Sequence, residues 1–450
     1  MQNKIPAGAK HIIYTLKSCG YQAYLVGGCV RDLLMDRQPH DWDLCTSATP
    51  EEMKKCFVGW TTIDTGLRHG TVTVVLGGNS YEVTTFRVDG DYSDGRHPDT
   101  VQFTTDLLAD LARRDFTINA IAMTSEGVVY DPYGGALDIR AHKIRCVGNP
   151  ATRFEEDGLR IMRALRFAST LGFYIDNRTA YAMHECRERL KNVSAERIMT
   201  ELKKLVVGWM PGTKLNPFHD ILSVFWPEIG ACVGFNQQNK YHVYDVWTHI
   251  TVALDNADTD DLYVRLALLL HDIAKPRCFT LGEDGYGHFY GHPPVCAALA
   301  DDMLRRLKFD NDTREKVVQL IEYHDANVVP SEKHVRRWLN KIGEEQFRRL
   351  LSIKIADGSA HNPDNLGDRI DKIYAVREVL SEVLSKRQCF TMKDLEVNGR
   401  DMMMLGIPEG PEVGAMLHKL MDLVLDGEAP NEKYHLIGLA VHMKAEGGSR

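Results

Sequence analysis

The sequence predicts a multidomain α+β protein: a small α/β head followed by an elongated all-α neck, body and tail. Three observations carry that prediction. The chain has 450 residues, enough for several domains at ~100–200 residues each. Runs of β-branched and aromatic residues, punctuated by glycine turns, are concentrated before residue 145. From Phe154 onward, apolar residues recur mostly at helical spacing as far as Arg450. There is neither an internal repeat nor a low-complexity tract.

In order along the chain, Tyr24–Val26 is a short strand entering Gly27-Gly28. Thr71–Leu76 and Tyr81–Phe86 flank Gly77-Gly78-Asn79-Ser80 and read as a hairpin. Asp89–Pro98 is polar, with two Gly and a Pro, and predicts a mobile loop. Asp131-Pro132-Tyr133-Gly134-Gly135 marks a turn near the end of the head. Glu155–Leu171 and Ala195–Val207 predict helices, the latter with Ser194 as N-cap. Trp209–Pro217 holds two prolines and predicts a boundary. The remainder reads as helical, broken at Glu283–His292 and around Pro408–Gly410.

Composition narrows the function classes. The chain is 44% hydrophobic and 26% charged, with 36 Gly and 17 Pro, which excludes collagen-like and wholly disordered chains. Its ten cysteines include no CxxC pair, so neither a zinc ribbon nor a disulfide framework is indicated. No run approaches the ~20 apolar residues of a membrane span, and Met1–Lys10 lacks the apolar core of a secretion signal. The expectation is a cytoplasmic protein without a membrane partner. Net charge is −8, yet Ala151–Lys204 carries 11 Lys/Arg against 8 Asp/Glu, a local basic excess.

Gly27-Gly28-Cys29-Val30-Arg31-Asp32 follows a strand and opens a helix. Glycines there admit backbone N–H groups to a phosphate, and Arg31 is one turn in. By itself a Gly-Gly pair is also an ordinary turn. Asp41-Trp42-Asp43 follows; on an extended segment, residues two apart face the same side. Two carboxylates facing one spot suit Mg²⁺ shared with substrate phosphates, although an isolated Asp-x-Asp is also an ordinary solvated loop.

Taken together, GGCVRD and DWDLCT resemble the nucleotidyltransferase head shared by tRNA CCA-adding enzymes and bacterial poly(A) polymerases. The resemblance extends through Arg113–Ala120 (RRDFTINA), Asp131–Gly135 (DPYGG), Glu156–Arg160 (EDGLR) and the AERI motif at Ala195–Ile198 with Glu201. These motifs span about half the chain and match class II enzymes. The resemblance implies addition of CCA to tRNA 3′ ends from CTP and ATP without a nucleic-acid template, releasing pyrophosphate. By the same resemblance, Asp41 and Asp43 are catalytic and hold Mg²⁺, while Gly28, Arg31 and Arg114 contact the nucleotide. Glu82 is either a third carboxylate or a hairpin surface residue. Arg113 is expected to anchor the motif, and Asp115 to cap a helix or pair with a cation rather than bind metal.

On one helix, Asp157 and Arg160 would be ~60° apart, close enough to converge on one ligand. Such a pair is ordinarily a surface ion pair. In the resembled family it reads the C and A base edges, with Arg163 and Arg166 assisting. On a straight helix Arg166 would drift to the side opposite Asp157. The resemblance assigns part of the C-to-A switch to a head loop, here Arg87 to Val101, with Tyr92, Asp94, Arg96 and Pro98; His97 stands where the pattern usually has Arg.

His271-Asp272 ends the apolar run Arg265–Leu270. With His249 upstream and Asp357 downstream it resembles the HD phosphohydrolase superfamily, and His292 and His324 are candidates for a second metal. Imidazoles and carboxylates in a helical bundle suit a divalent transition metal that activates water against phosphate esters. Both an active phosphohydrolase and an inactive scaffold are compatible with the motif, and Ala274 replaces the glycine of HDIG-type sites.

The expected layout is therefore a nucleotidyltransferase head at 1–145 and a helical neck at 146–210 with nucleotide-templating and RNA-binding residues. An HD phosphohydrolase-like domain follows at 235–365, and a helical tRNA-binding tail at 366–450. In the tail, the glycines and prolines from Gly406 to Gly414 are either an RNA phosphate contact or a packing corner, and Met402–Met404 is core filling. The expected partners are tRNA, CTP and ATP, with no obligate protein partner indicated. The alternatives are a poly(A) polymerase, a CC-only or A-only enzyme and, from another class, an HD-type hydrolase acting on RNA or nucleotides.

Overall fold

Residues 4–66, 70–90, 100–365, 367–385 and 391–447 are described by a computed structural model. Most of the expected switching loop, including Tyr92, Asp94, Arg96, His97 and Pro98, lies outside them. The chain divides into two compact units, Met1–Ala231 with Arg306–Phe309 and Cys232–Arg305 with Asp310–Arg450. Trp209–Pro217 falls inside the first unit, and the change of unit comes later in the chain.

The first unit opens with α1 (Ala7–Ser18), which buries Ala9, Ile12, Ile13 and Leu16 on one stripe. There follow β1 (Ala23–Val26), α2 (Gly28–Leu34), β2 (Asp43–Thr46), α3 (Pro50–Cys56), β3 (Thr61–Gly66), β4 (Thr71–Leu76) and β5 (Asn79–Thr85). Next come β6 (Arg87–Asp89), β7 (Val101–Phe103), α4 (Leu107–Ala112), β8 (Ala122–Met123) and β9 (Val129–Tyr130). The main sheet runs β3-β4-β5-β2-β1-β8-β9. The predicted hairpin is β4–β5, turning on Gly77-Gly78 with Leu76 opposite Asn79. On β5, Tyr81, Val83 and Thr85 point into the core while Glu82 faces out, the alternation expected of a half-buried strand. The parallel pairing of β2 and β5 sets Asp43 directly opposite Glu82. Beneath the sheet, Val26, Cys45, Phe86, Leu111 and Ala122 form one core cluster.

The unit continues through α5 (Gly135–Arg140), β10 (Lys143–Ile144), α6 (Pro150–Glu156), α7 (Leu159–Leu171), β11 (Tyr174–Ile175) and α8 (Asn177–Glu185). It closes with α9 (Ala195–Val206), α10 (Pro211–Leu215), α11 (His219–Ser223) and α12 (Glu228–Cys232). The single helix expected over Glu155–Leu171 is two. Asp157 is extended, with φ −147° and ψ 106°, and its Oδ1 accepts from the Leu159 N–H at 3.0 Å. Gly158 makes the junction feasible, since a Cβ there would come within 2.7 Å of the Arg189 carbonyl oxygen. Ser194 takes the N-cap position of α9 as expected, with extended backbone but without a side-chain capping bond.

The second unit contains α13 (Val246–Asp255), α14 (Leu262–Leu270), β12 (Thr280–Leu281), β13 (Gly287–His288), α15 (His292–Arg306) and α16 (Asn311–Tyr323). It goes on with α17 (Glu332–Gly358), kinked at Gly343, α18 (Arg369–Ser385), α19 (Gly399–Met404), α20 (Pro411–Asp426) and α21 (Lys433–Gly447). The apolar run of α14 is its buried centre, with Leu266 to Leu270 fully enclosed. The break expected at Glu283–His292 is the β12–β13 hairpin. The last three helices have their own core around Met402, Leu420, Leu436 and Ala440. Met402 fills that core as expected, whereas Met404 is 86% exposed. No helix among the described residues is long and apolar enough to cross a membrane.

Candidate functional site

In the first unit, β1 runs directly into Gly27, whose φ of 77° is readily available only to glycine. A Cβ at Gly27 would lie 3.2 Å from Arg114 Nη1 and 3.9 Å from Asp43 Oδ2. The loop, a carboxylate and a guanidinium thus meet at one point. Arg31, on the first turns of α2, donates from Nη1 to Asn119 Oδ1 at 2.8 Å and from Nε to Asp32 Oδ1 at 2.9 Å. Gly28 sits beside it, its Cβ position 3.7 Å from Arg31 Nη2.

Asp43 opens β2, and Asp41 lies exposed just before it. Burial and the facing charge of Glu82 push the Asp43 carboxyl above the usual carboxylate range; Arg114 opposes the shift and Asp41 adds to it. A strand end crowded with negative charge is what a divalent cation relieves, and the oxygen donors fit Mg²⁺. Glu82, opposite Asp43 in the sheet, adds its charge to the same strand end.

Arg114 is held from behind. Its Nη2 is 3.3 Å from Asp110 Oδ2, and its buried Nε has no hydrogen-bond partner. Arg113 donates from Nε and Nη2 to Asp110 Oδ1 at 3.0 and 2.8 Å, the anchoring role expected of it. Asp110 is fully buried. Against that burial, Arg114 and Arg113 hold its carboxyl below the usual range.

Asp115 is an ion-pair partner, as expected. Arg163 donates to its Oδ2 through Nε and Nη2, and its Oδ1 accepts from the Phe116 N–H at 2.7 Å and Asn119 Nδ2 at 3.1 Å. Despite complete burial, Arg163 and these donors bring the carboxyl down to about 2. Arg166 pairs with Glu201. The guanidinium carbons of Arg31, Arg163 and Arg166 lie 5.2, 5.5 and 3.7 Å from the centre of the Phe167 ring. That ring gathers three of the expected nucleotide-binding arginines despite the helical drift between positions 163 and 166.

Asp157 and Arg160 are neighbours through a 3.0 Å backbone hydrogen bond, but their side chains pair with other residues. The break between α6 and α7 gives Asp157 to Arg197, whose Nη2 and Nη1 are 2.7 and 3.3 Å from its two oxygens. Arg160 pairs with Glu156 and donates to the Arg153 and Arg113 carbonyls at 2.9 and 3.1 Å. Asn119, Asp110, Phe167 and Arg197 were not singled out from sequence. Asn119 and Arg197 lie within quoted motifs, whereas Asp110 and Phe167 resemble ordinary helix residues.

The second unit contains the two groups among the described residues whose metal-ligand atoms all lie within 4.8 Å of one another: His249, His271, Asp272 and Asp357, and Asp272, His292 and His324. All six expected residues therefore converge, with Asp272 shared between the groups. Its Oδ2 is 3.3 Å from His249 Nε2 and 3.2 Å from His271 Nε2. Its Oδ1 is 3.4 Å from His292 Nε2 and 3.7 Å from His324 Nε2. Helix ends deliver these groups: His271 and Asp272 just after α14, His292 at the start of α15, His324 just after α16 and Asp357 near the end of α17.

Backbone carbonyls orient the outer nitrogens. Leu268, Phe289 and Ile321 carbonyls lie 2.7, 2.9 and 2.7 Å from Nδ1 of His271, His292 and His324, which leaves each Nε2 facing inward. His271 Nε2 and Asp272 Oδ1 are buried without a hydrogen-bond partner. Burial alone would lower the His271 imidazole, but Asp272 and Asp357 raise it to about 10. Burial, reinforced by His271, lowers His324 to about 3. Orphaned inner atoms with a nitrogen and carboxylate donor set fit divalent transition metal ions. Lys275 Nζ reaches Asp272 Oδ2 at 2.7 Å, and Asp272, His292, His324 and Asp357 line a cavity of about 520 Å³.

Residues 23–145 match the Poly A polymerase head domain family, 172–215 the probable RNA- and SrmB-binding site of polymerase A, and 295–440 the putative domain 2 of tRNA nucleotidyltransferase. The CCA-adding enzyme of Lactobacillus helveticus is 52% identical over 436 residues, covering 95% of this chain and 96% of that protein. The chain belongs to the CCA-adding enzyme family. It is thus a class II CCA-adding nucleotidyltransferase with a poly(A) polymerase-type head. A second family member, from a Geobacillus species, is 34% identical over 438 residues, with 96% of this chain and 95% of that one covered. The Bacillus stearothermophilus CCA-adding enzyme in complex with CTP superposes with a TM-score of 0.73 at 31% identity, covering 97% of both chains. The Thermotoga maritima CCA-adding enzyme complexed with tRNA shares the fold, with a TM-score of 0.60 at 18% identity and coverage of 98% and 97%.

Proposed function

We propose that Asp41, Asp43 and Glu82 form the catalytic carboxylate group of CCA addition and hold Mg²⁺. A divalent cation bound there would withdraw charge from the attacking 3′-hydroxyl of tRNA and from the leaving pyrophosphate. Gly28 lets the α2 backbone approach the triphosphate, while Arg31 and Arg114 place positive charge beside it. Arg114 is kept aimed by Asp110. The 3′-oxygen forms a bond to the α-phosphorus as the bond to pyrophosphate breaks. The convergence of Gly27, Asp43 and Arg114 carries this reading.

Base choice belongs to the neck. Asp157 and Arg160 read the base, Arg197 and Glu156 holding the two side chains in place while a remaining lone pair or N–H of each meets a base edge. Arg163 and Arg166, collected over Phe167, stiffen that surface. The enzyme acts on tRNA in the cytoplasm, and the tail grips the RNA by shape and backbone charge. Incorporation of CTP and ATP into tRNA lacking CCA, singly and together, tests the whole reading. Two C and one A followed by arrest is expected; arrest at CC, or a long A tract, would overturn it.

A second reading concerns the second unit, and the shared Asp272 supports it. We infer an HD-type phosphohydrolase centre in which His249, His271, Asp272 and Asp357 hold one divalent transition metal, and Asp272, His292 and His324 a second. Metal there would activate water against a phosphate ester at an RNA end. Lys275 steadies the shared Asp272 carboxylate. Metal-dependent phosphate release that disappears in His271→Ala would support the centre, and its absence in the metal-loaded protein would count against it.

A further inference from the structure

Four of the six clustered residues, Asp272, His292, His324 and Asp357, line the cavity, and part of the remaining lining is aromatic. After β13 the chain passes through Phe289, Tyr290 and Gly291 into His292 at the start of α15. Tyr290 is 77% exposed, yet its ring is braced. It stacks on His288 with centroids 5.1 Å apart and planes 9° from parallel. His288 is pinned in turn: its Nε2 is 3.2 Å from Asp284 Oδ1, and a Cβ on Gly282 would come within 2.7 Å of that nitrogen. The same segment orients a ligand, because the Phe289 carbonyl lies 2.9 Å from His292 Nδ1. Tyr290, His288 and His292 all line the cavity.

Core packing does not account for a ring so exposed. A flat, supported aromatic face two residues from a metal-ligand position has the geometry of a stacking surface for another flat ring. Lys240 and Arg369 also line the cavity, so positive charge for a phosphate is present beside it.

We propose that Tyr290, backed by His288, is a base-stacking platform that makes the second site select phosphate esters whose alcohol carries a nucleobase. The proposal rests on the reading of the second unit as a phosphoester site. Stacking is nearly indifferent to base identity, so the discrimination falls between a base and no base. A preference of about tenfold is expected from one stacked base.

The test uses the full chain, loaded with Mn²⁺ and titrated calorimetrically, with His271→Ala, which removes a ligand of the second site, as the blank that subtracts nucleotide bound at the head. The ligands are adenosine 5′-monophosphate and ribose 5-phosphate, which differ by the base. With Tyr290 intact the nucleotide should bind about tenfold more tightly. Tyr290→Ala should abolish that ratio while leaving ribose phosphate affinity unchanged, and Tyr290→Phe should preserve it. A trinucleotide with the same terminal phosphate separates an RNA end, which would bind more tightly still, from a free nucleotide. An unchanged ratio in Tyr290→Ala, or equal weakening of both ligands, would overturn the proposal. Phosphate release, measured in parallel, separates the two readings. A Tyr290-dependent base preference without release would retain the platform and sink the hydrolase, whereas release indifferent to base and to Tyr290 would do the reverse.

Discussion

Arg163 clamps Asp115 through two donors, Nε at 2.9 Å and Nη2 at 2.7 Å from the same carboxylate oxygen. This contact ties the RRDFTINA motif to α7 by an ion pair whose carboxylate is buried.

That tie predicts an acid dependence. The Asp115 carboxyl titrates at about 2 in the folded chain, below its ordinary 3.8. Its contribution is therefore complete above the unfolded value and lost as pH falls through the folded one. The difference corresponds to roughly 2 kcal/mol. Asp115→Asn should lower stability by about that amount at pH 7 in urea denaturation. The gap from the parent should narrow steadily between pH 4 and pH 2.

Removal of the head carboxylates should affect chemistry more than binding. Asp41→Ala and Asp43→Ala should each reduce nucleotide incorporation by roughly a thousandfold or more, and chelation of divalent cations should do the same to the parent. CTP affinity, measured by equilibrium dialysis, should fall far less, since Arg31 and Arg114 remain.

Arg197 controls where Asp157 points. Arg197→Ala frees that carboxylate, and discrimination between CTP and UTP should fall by roughly tenfold or more as a fixed base-edge acceptor becomes mobile. Competition between the two nucleotides on one tRNA would show it. An unchanged ratio would place base reading elsewhere.

Sharing of Asp272 predicts unequal metal loss. After loading with Mn²⁺, elemental analysis should find both ions missing from Asp272→Ala and only one missing from His324→Ala. Loss of one ion in both variants would mean that the two groups do not share the carboxylate.

Much of the head could be read from local pattern. The strand into Gly27, the β4–β5 hairpin and the Asp41–Asp43 pair depend on residues close in sequence. The His/Asp set was legible through its ordered resemblance to the HD phosphohydrolase superfamily, since an isolated His-Asp pair is ordinarily helix-end polarity. What could not be read was pairing across distance. A periodicity argument assumed one helix through Asp157, but a local hydrogen bond to Leu159 and the closeness of Gly158 to Arg189 break it. Asp157 then meets Arg197, forty residues away. Phe167 looked like another apolar residue, and only the folded neck reveals three guanidinium groups over its ring.

The in-register pairing of Asp43 with Glu82 makes the sheet itself the ruler of the proposed catalytic group. Side chains alternate along a strand, so a slip of one residue would turn Glu82 inward and set Val83 facing outward. Lengthening either hairpin strand by one residue therefore threatens the chemistry while leaving composition and hydrophobicity untouched. Extra residues placed in the Gly77-Gly78 turn would leave it intact. Natural insertions in this part of the family should accordingly collect at that turn, with strand lengths held fixed on either side.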